Sequence, residues 1–175
     1  MDRNEALELL KKHVKSENLI NHSLAVEAIM RGLARHLQED EESFGLAGLL
    51  HDIDYDQTAD DPMRHSAIGA EMLAQMGLPE ELCYAVKAHN DAHGLPRRTL
   101  LDHALYAADP TSGFITAAAL IRPDKQLSAV EMKSLRKRFK EKSFARGASR
   151  EQMATCSELG MDFDTFLEIA LQSMK

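Results

Sequence analysis

No apolar run in this sequence approaches the ~20 residues that a bilayer-crossing helix needs, so a membrane span is not expected. The opening MDRNEALELLKKHV lacks the uninterrupted apolar core of a signal peptide. Cysteine is scarce: Cys83 and Cys156 stand far apart, each inside a helical pattern, which excludes a disulfide framework. Reduced, buried thiols and a cytoplasmic location are the expectation. Positive charge is also in deficit. The formal net charge is -7, whereas general DNA binding rests on phosphate neutralisation by Lys and Arg. There is no sustained two-residue alternation, no internal repeat and no low-complexity linker, so strands and flexible tethers are not expected.

What the sequence does contain is helix and histidine. Its 175 residues suit one domain with a short appendage, and 44% hydrophobic residues suffice for a core. Apolar residues recur at three- and four-residue spacing almost throughout. Asp2 with Glu5 reads as a capping box opening the first helix. A second helix is expected over 16–38, a third over 44–51, a fourth from Asp61-Pro62 to Gly77, and a fifth from Pro79 to about Asn90. A sixth is expected over 98–108, stopped by Pro110. The stretch 111–126 reads as an irregular crossover, or as one more helix if the apolar run Ile115–Ile121 folds. Ser128 with Glu131, Ser149 with Gln152, and a last helix over 164–174 complete the all-α reading.

Six acidic or imidazole positions share one property: each falls on an inward stripe, mostly near a helix end. His22 shares a face with Val26, Ile29, Met30 and Leu33. His51 lies one turn after Ala47 and Gly48, with Asp52 beside it. His65 leads the stripe Ile68, Gly69, Met72, Leu73, and His89 ends the stripe Leu82, Ala85, Val86. Asp109 lies one turn after Leu105. A single inward histidine is ordinarily a satisfied core residue. Five helices all presenting His or Asp inward call for a cation, because unpaired buried charge is costly and these are natural metal ligands. Four His and two Asp could hold two metals about 3.5–4 Å apart, the spacing of two-metal hydrolases. Gly45, Ala47 and Gly48 would let neighbouring helices approach closely.

The ordered series His22, His51-Asp52, His65, His89, Asp109, in the contexts NHSLAVEAIM, GLAGLLHDIDYD, RHSAIGAEML, AVKAHN and LYAADPTSG, resembles the HD-domain superfamily of metal-dependent phosphohydrolases. The resemblance covers about residues 16–122 and is closest to the bimetallic subgroup. It implies an all-α HD helical bundle over 1–126 with a C-terminal helical extension over 127–175 packed on the same domain. It also implies one or two divalent transition metals (Fe, Mn, Zn, Ni or Co). His22, His51, Asp52 and Asp109 would hold the first; His65, His89 and a bridging Asp52 the second. Asp52, His65 and His89 would serve catalysis. The implied activity is hydrolysis of a phosphate ester, a nucleotide or related small molecule, by metal-activated water. Di-iron oxygenase chemistry and a non-catalytic ligand-binding module are the alternatives. The expected partner is a small phosphorylated substrate, with no membrane and no nucleic acid; a homodimer is allowed.

Many members of that superfamily continue after the HD pair with Ile-Gly-Lys, the Lys lying near the substrate phosphate. Here the run is His51-Asp52-Ile53-Asp54-Tyr55, and Asp54 and Asp56 add negative charge. Arg64, Lys87, Arg122 and Lys125 are the candidate replacements; ordinary solvated charge is the competing reading. His93 reads as surface, and Asp102 as an acceptor for a ligand imidazole. The segment Lys133–Arg150 holds eight basic residues and one acid, Glu141, a local +7 that leaves −14 elsewhere. A solvated face pairing with the acidic body is the simpler reading, a basic wall steering a nucleotide the sharper one. Phe139, Phe144 and Phe163 read as core anchors for the tail.

Overall fold

Two 21-residue helices, α2 (Glu17–Leu37) and α7 (Leu100–Leu120), form the frame on which the other helices pack. The computed structural model describes all residues, 1–175. It contains ten α-helices, three short 3-10 turns and no strand. The remaining helices are α1 (Arg3–His13), α3 (Glu41–Leu50), α4 (Tyr55–Thr58), α5 (Ala67–Gln75), α6 (Glu80–Ala88), α8 (Met132–Phe139), α9 (Arg150–Ala154) and α10 (Phe163–Met174). No helix is long and apolar enough to cross a membrane.

One hydrophobic cluster runs from Ala6 on α1 to Leu171 on α10, so the first and last helices share a core. α3 is buried from Phe44 to Leu50, as its nearly unbroken apolar composition demands. It approaches α2 closely because position 48 is glycine: a Cβ there would sit 2.9 Å from the Glu27 backbone. Glu27 itself is buried and requires compensation. Arg3 supplies a two-pronged ion pair at 2.6 and 3.0 Å, and Arg31 adds another at 3.0 Å, tying α1 to α2. At the other end, Phe139, Phe144 and Phe163 gather around Phe114 and Phe166, with ring centroids 4.4–6.5 Å apart. They anchor the tail as aromatic clusters do.

The capping box at Asp2 forms in both directions, at 2.8 Å each way. Elsewhere the boundaries differ from the sequence expectation, for local reasons. α3 starts at Glu41, because Asp40 accepts from the Ser43 N–H and caps it. Residues 62–66 form turns, and the fourth long helix (α5) begins only at Ala67, because Ser66 adopts φ +67° and breaks the helix. Ser128 lies in a 3-10 turn, so no capping box forms with Glu131, and α8 begins at Met132 and ends at Phe139.

Pro110 does not stop its helix; α7 continues to Leu120. Proline removes the N–H that would bond the Tyr106 carbonyl four residues earlier. The side-chain amide of Gln152 donates to that carbonyl at 2.9 Å instead. The stretch after Pro110 is therefore the helix that the run Ile115–Ile121 allows, not a crossover.

Candidate metal centre

Six side chains from α2, the end of α3, the turn before α5, the end of α6 and the middle of α7 meet at one point. Asp52 is at the centre. Its Oδ2 lies 3.6 Å from His22 Nε2 and 3.4 Å from His51 Nε2. Its Oδ1 lies 3.3 Å from both His65 Nε2 and His89 Nε2. Asp109 Oδ1 stands 2.9 Å from His22 Nε2 and 3.5 Å from His51 Nε2. The two Asp52 oxygens thus divide the four imidazoles into pairs, and Asp109 joins the first. The rings contact edge to face along the chain His22, His51, His89, His65, with centroids 5.1–5.3 Å apart. Asp109 is not at a helix end, since α7 runs past it.

The outer nitrogen of each ring fixes its tautomer. His51 Nδ1 faces the Gly48 carbonyl at 2.7 Å, and His89 Nδ1 faces the Val86 carbonyl. A carbonyl only accepts, so both Nδ1 atoms carry hydrogen. His65 Nδ1 donates to Asp54 Oδ1 at 2.9 Å. His22 Nδ1 lies 3.1 Å from Ser112 Oγ, whose own hydrogen goes to the Asp109 carbonyl, so His22 is the donor there too. All four rings therefore turn an Nε2 lone pair toward carboxylate oxygens. Lone pairs facing one another at 3–4 Å need a proton or a cation between them. His51 Nε2 is fully buried and has no hydrogen-bond partner.

Without a cation, protons take that place. Burial alone would lower the pKa of His51, but the Asp52 charge and contacts to Asp109 and Asp52 push it well above its ordinary value. His65 is likewise opposed by burial, yet Asp52 and Asp54 bring it up to about 9. Burial would raise Asp52 and Asp109; the facing imidazoles hold both well below the carboxylate range. This donor set, four neutral-capable imidazoles and two carboxylates with a buried unpartnered nitrogen, fits a divalent transition metal. His22, His51 and Asp109 form one group able to hold an ion, and His51, Asp52 and His89 another.

Comparison with known proteins agrees with this geometry. The model of the HD domain matches residues 19–113, more than half of the chain. The chain belongs to the HD-domain family. Ribonuclease Y of Oleidesulfovibrio alaskensis is 33% identical over 98 residues, 56% of this chain but 18% of that protein. Ribonuclease Y of Desulfotalea psychrophila is 34% identical over 97 residues, again 18% of its length. An uncharacterised protein of Methanocaldococcus jannaschii is 32% identical over 114 residues, 62% of this chain and 65% of that one. The chain thus spans about a fifth of the ribonuclease Y length, over the HD region alone. No solved structure matches significantly. HD-domain membership points to metal-dependent phosphohydrolase chemistry, and the His–Asp clusters supply the donors.

Around this HD centre lies a ring of supporting contacts. Asp54, read from sequence as added negative charge, is fully buried and spends that charge on His65. Its Oδ1 orients His65, and its Oδ2 accepts the Gly69 N–H at 2.7 Å. Asp56 accepts the Lys15 N–H. Asn90 and His93 both donate to the His65 carbonyl, at 2.9 and 2.7 Å, so His93 is half-buried and structural, not surface. Asp102 meets no ligand imidazole; it accepts the Arg98 and Thr99 N–H groups and caps α7. Acidic residues spaced two apart after a histidine were the only sequence sign of Asp54, and nothing local marked Asn90.

Three cavities border the HD centre, and none is lined by Arg64, Lys87, Arg122 or Lys125. Arg64 is exposed. Lys87 borders a separate hollow with Tyr84 and Glu71. Arg122 is held by Asp124 at 2.9 Å through two nitrogens, and Lys125 is exposed on a turn at φ +51°. In the basic segment, Arg136 pairs with Asp164 and Arg138 with Glu141, partners within the tail and not the acidic body. Arg150 is no surface charge. It donates to the carbonyls of Arg138, Phe139, Glu141, Phe144, Ala145 and Ala148, and holds the irregular 140–148 segment in place.

Proposed function

We propose that this HD domain is a phosphohydrolase with a two-metal centre bridged by Asp52. The observation that carries the reading is the fixed tautomer of all four imidazoles, whose Nε2 atoms converge in pairs on the two oxygens of one carboxylate. In it, His22, His51, Asp52 and Asp109 hold one cation, and His65, His89 and Asp52 the other. Bound there, the cations would acidify a water and polarise a phosphoryl oxygen. Asp52 would orient the attacking water, His65 and His89 would hold the second cation through Nε2 while Asp54 and the Val86 carbonyl fix their rings, and a neighbouring Asp or His would give the leaving oxygen its proton. The substrate is a phosphate ester of a nucleotide or related small molecule; the name of the ribonuclease Y relatives brings phosphodiesters into the same class.

The test is metal analysis of the purified protein with phosphate release from a panel of phosphate esters. His51→Ala and Asp52→Ala should lose bound metal, and full retention would overturn the ligand assignment. A metal-loaded protein that releases no phosphate across the panel would overturn the hydrolase reading. A second reading, a di-iron oxygenase, rests on the same donors, since imidazole and carboxylate also suit iron. Iron with a mixed-valent electronic signature and oxygen consumption would select it.

A further inference from the structure

The contact between Gln152 and Tyr106 fixes more than a helix. Because the Gln152 nitrogen donates to the Tyr106 carbonyl, the amide oxygen must face the other way. That oxygen has no protein hydrogen bond and is not sealed from solvent. Gln152 stands beside Asp109 on the wall of two cavities, one reaching His22 and the other reaching His65 and His89. The amide of Gln152 is thus oriented at the shoulder of the metal centre with its oxygen not engaged by the protein.

The cavity on the His22 side has a volume of about 400 Å³. That is within the usual range of roughly 300–1,000 Å³ for small-molecule sites. Its walls are Gly113 and Ala117 of α7 and Ala145, Gly147 and Ala148 of the tail; Asp109 is its only acidic or basic side chain besides His22. An adjoining hollow adds Asn18, Asn21 and Thr116, again neutral. Such walls offer nothing to a second phosphate or a carboxylate, and they would strand either without a partner. They suit a flat or ring-sized neutral group carrying hydroxyl or amino donors. A Cβ added at Gly113 meets nothing within 4 Å, so the space over that residue is open. Ala145, Gly147, Ala148 and Gln152 all lie beyond residue 113, where the family match ends.

We propose that this cavity is the leaving-group subsite. Resting on the reading that a phosphate binds at the metals, it takes the uncharged organic part of a phosphomonoester, of nucleoside size and polarity. Gln152 Oε1 accepts a hydrogen bond from that group, and the tail determines specificity.

The test is equilibrium binding to the full-length protein loaded with Mn²⁺, with each nucleoside 5′-monophosphate and with methyl phosphate as probes. Wild-type protein should bind at least one nucleotide about ten-fold or more tighter than methyl phosphate. Gly113→Leu fills the open space with a better helix former and should keep its melting temperature, yet abolish that preference. Gln152→Leu should also abolish that preference, with the modest loss of stability expected when the bond to the Tyr106 carbonyl is removed. No preference in the wild type, or a preference that survives in Gly113→Leu, overturns the proposal. Phosphate release from the same probes is followed in parallel; its absence counts against the hydrolase reading, whereas the binding ratio decides the subsite.

Discussion

At the scale of single residues, the centre is held by a carboxylate, two carbonyls and a hydroxyl acting on the far side of the four rings. Asp54 shows what such a contact does. It accepts from both His65 Nδ1 and the Gly69 N–H, so its two oxygens set the ring and the start of α5 together. Asp54→Asn turns one of these acceptors into a donor facing an N–H. Metal affinity should fall about 10- to 100-fold, the usual effect of losing an outer partner of a ligand histidine. Titration of the metal-free protein with Mn²⁺ measures this, and unchanged affinity would show that His65 needs no such support. The convergence of the six central side chains was legible because each lies on an inward stripe. The role of Asp54 was not, since it depends on where α5 passes, and an acid near a ligand reads the same whether it faces substrate or ring.

At the scale of helices, local rules failed where a distant residue answered them. Pro110 reads as a stop because the rule for proline counts only the lost N–H and the orphaned carbonyl. Gln152, far along the chain, answers that carbonyl, so α7 carries both Asp109 and the cavity wall of Gly113 and Ala117. A double-mutant cycle isolates the link. Gln152→Leu should destabilise the protein by about 1 kcal/mol, the usual net worth of such a bond. In the Pro110→Ala background the restored N–H reaches Tyr106 O, and the same substitution should cost roughly nothing. Equal costs in both backgrounds, measured by denaturant unfolding, would mean that Gln152 does not support the helix. The capping box expected of Ser128 and Glu131 failed for the opposite reason: Ser128 is held in its own 3-10 turn, and Glu131 itself takes the N-cap position of α8.

At the scale of the whole molecule, the centre links stability to pH and to metal. His65 titrates at about 9 in the metal-free fold against an ordinary 6.5, and His51 is shifted the same way. Their protonated forms therefore stabilise the metal-free fold fully below pH 6.5, and that contribution is lost as pH rises through 9. Asp52 and Asp109 are depressed, so their contribution is present above their ordinary 3.8 and lost as pH falls toward their folded values. The metal-free protein should thus be most stable between about pH 4 and pH 6.5. A bound cation replaces the protons and prefers the deprotonated rings, so it stabilises most where the protons are lost. The rise in melting temperature on adding Mn²⁺ to chelator-treated protein should accordingly be small near about pH 5 and grow steadily toward about pH 9. A rise that is constant over this interval would mean that the imidazoles facing Asp52 are not the groups displaced by metal. Because the same core contains both α1 and α10, a single unfolding transition should report the effect along the entire chain.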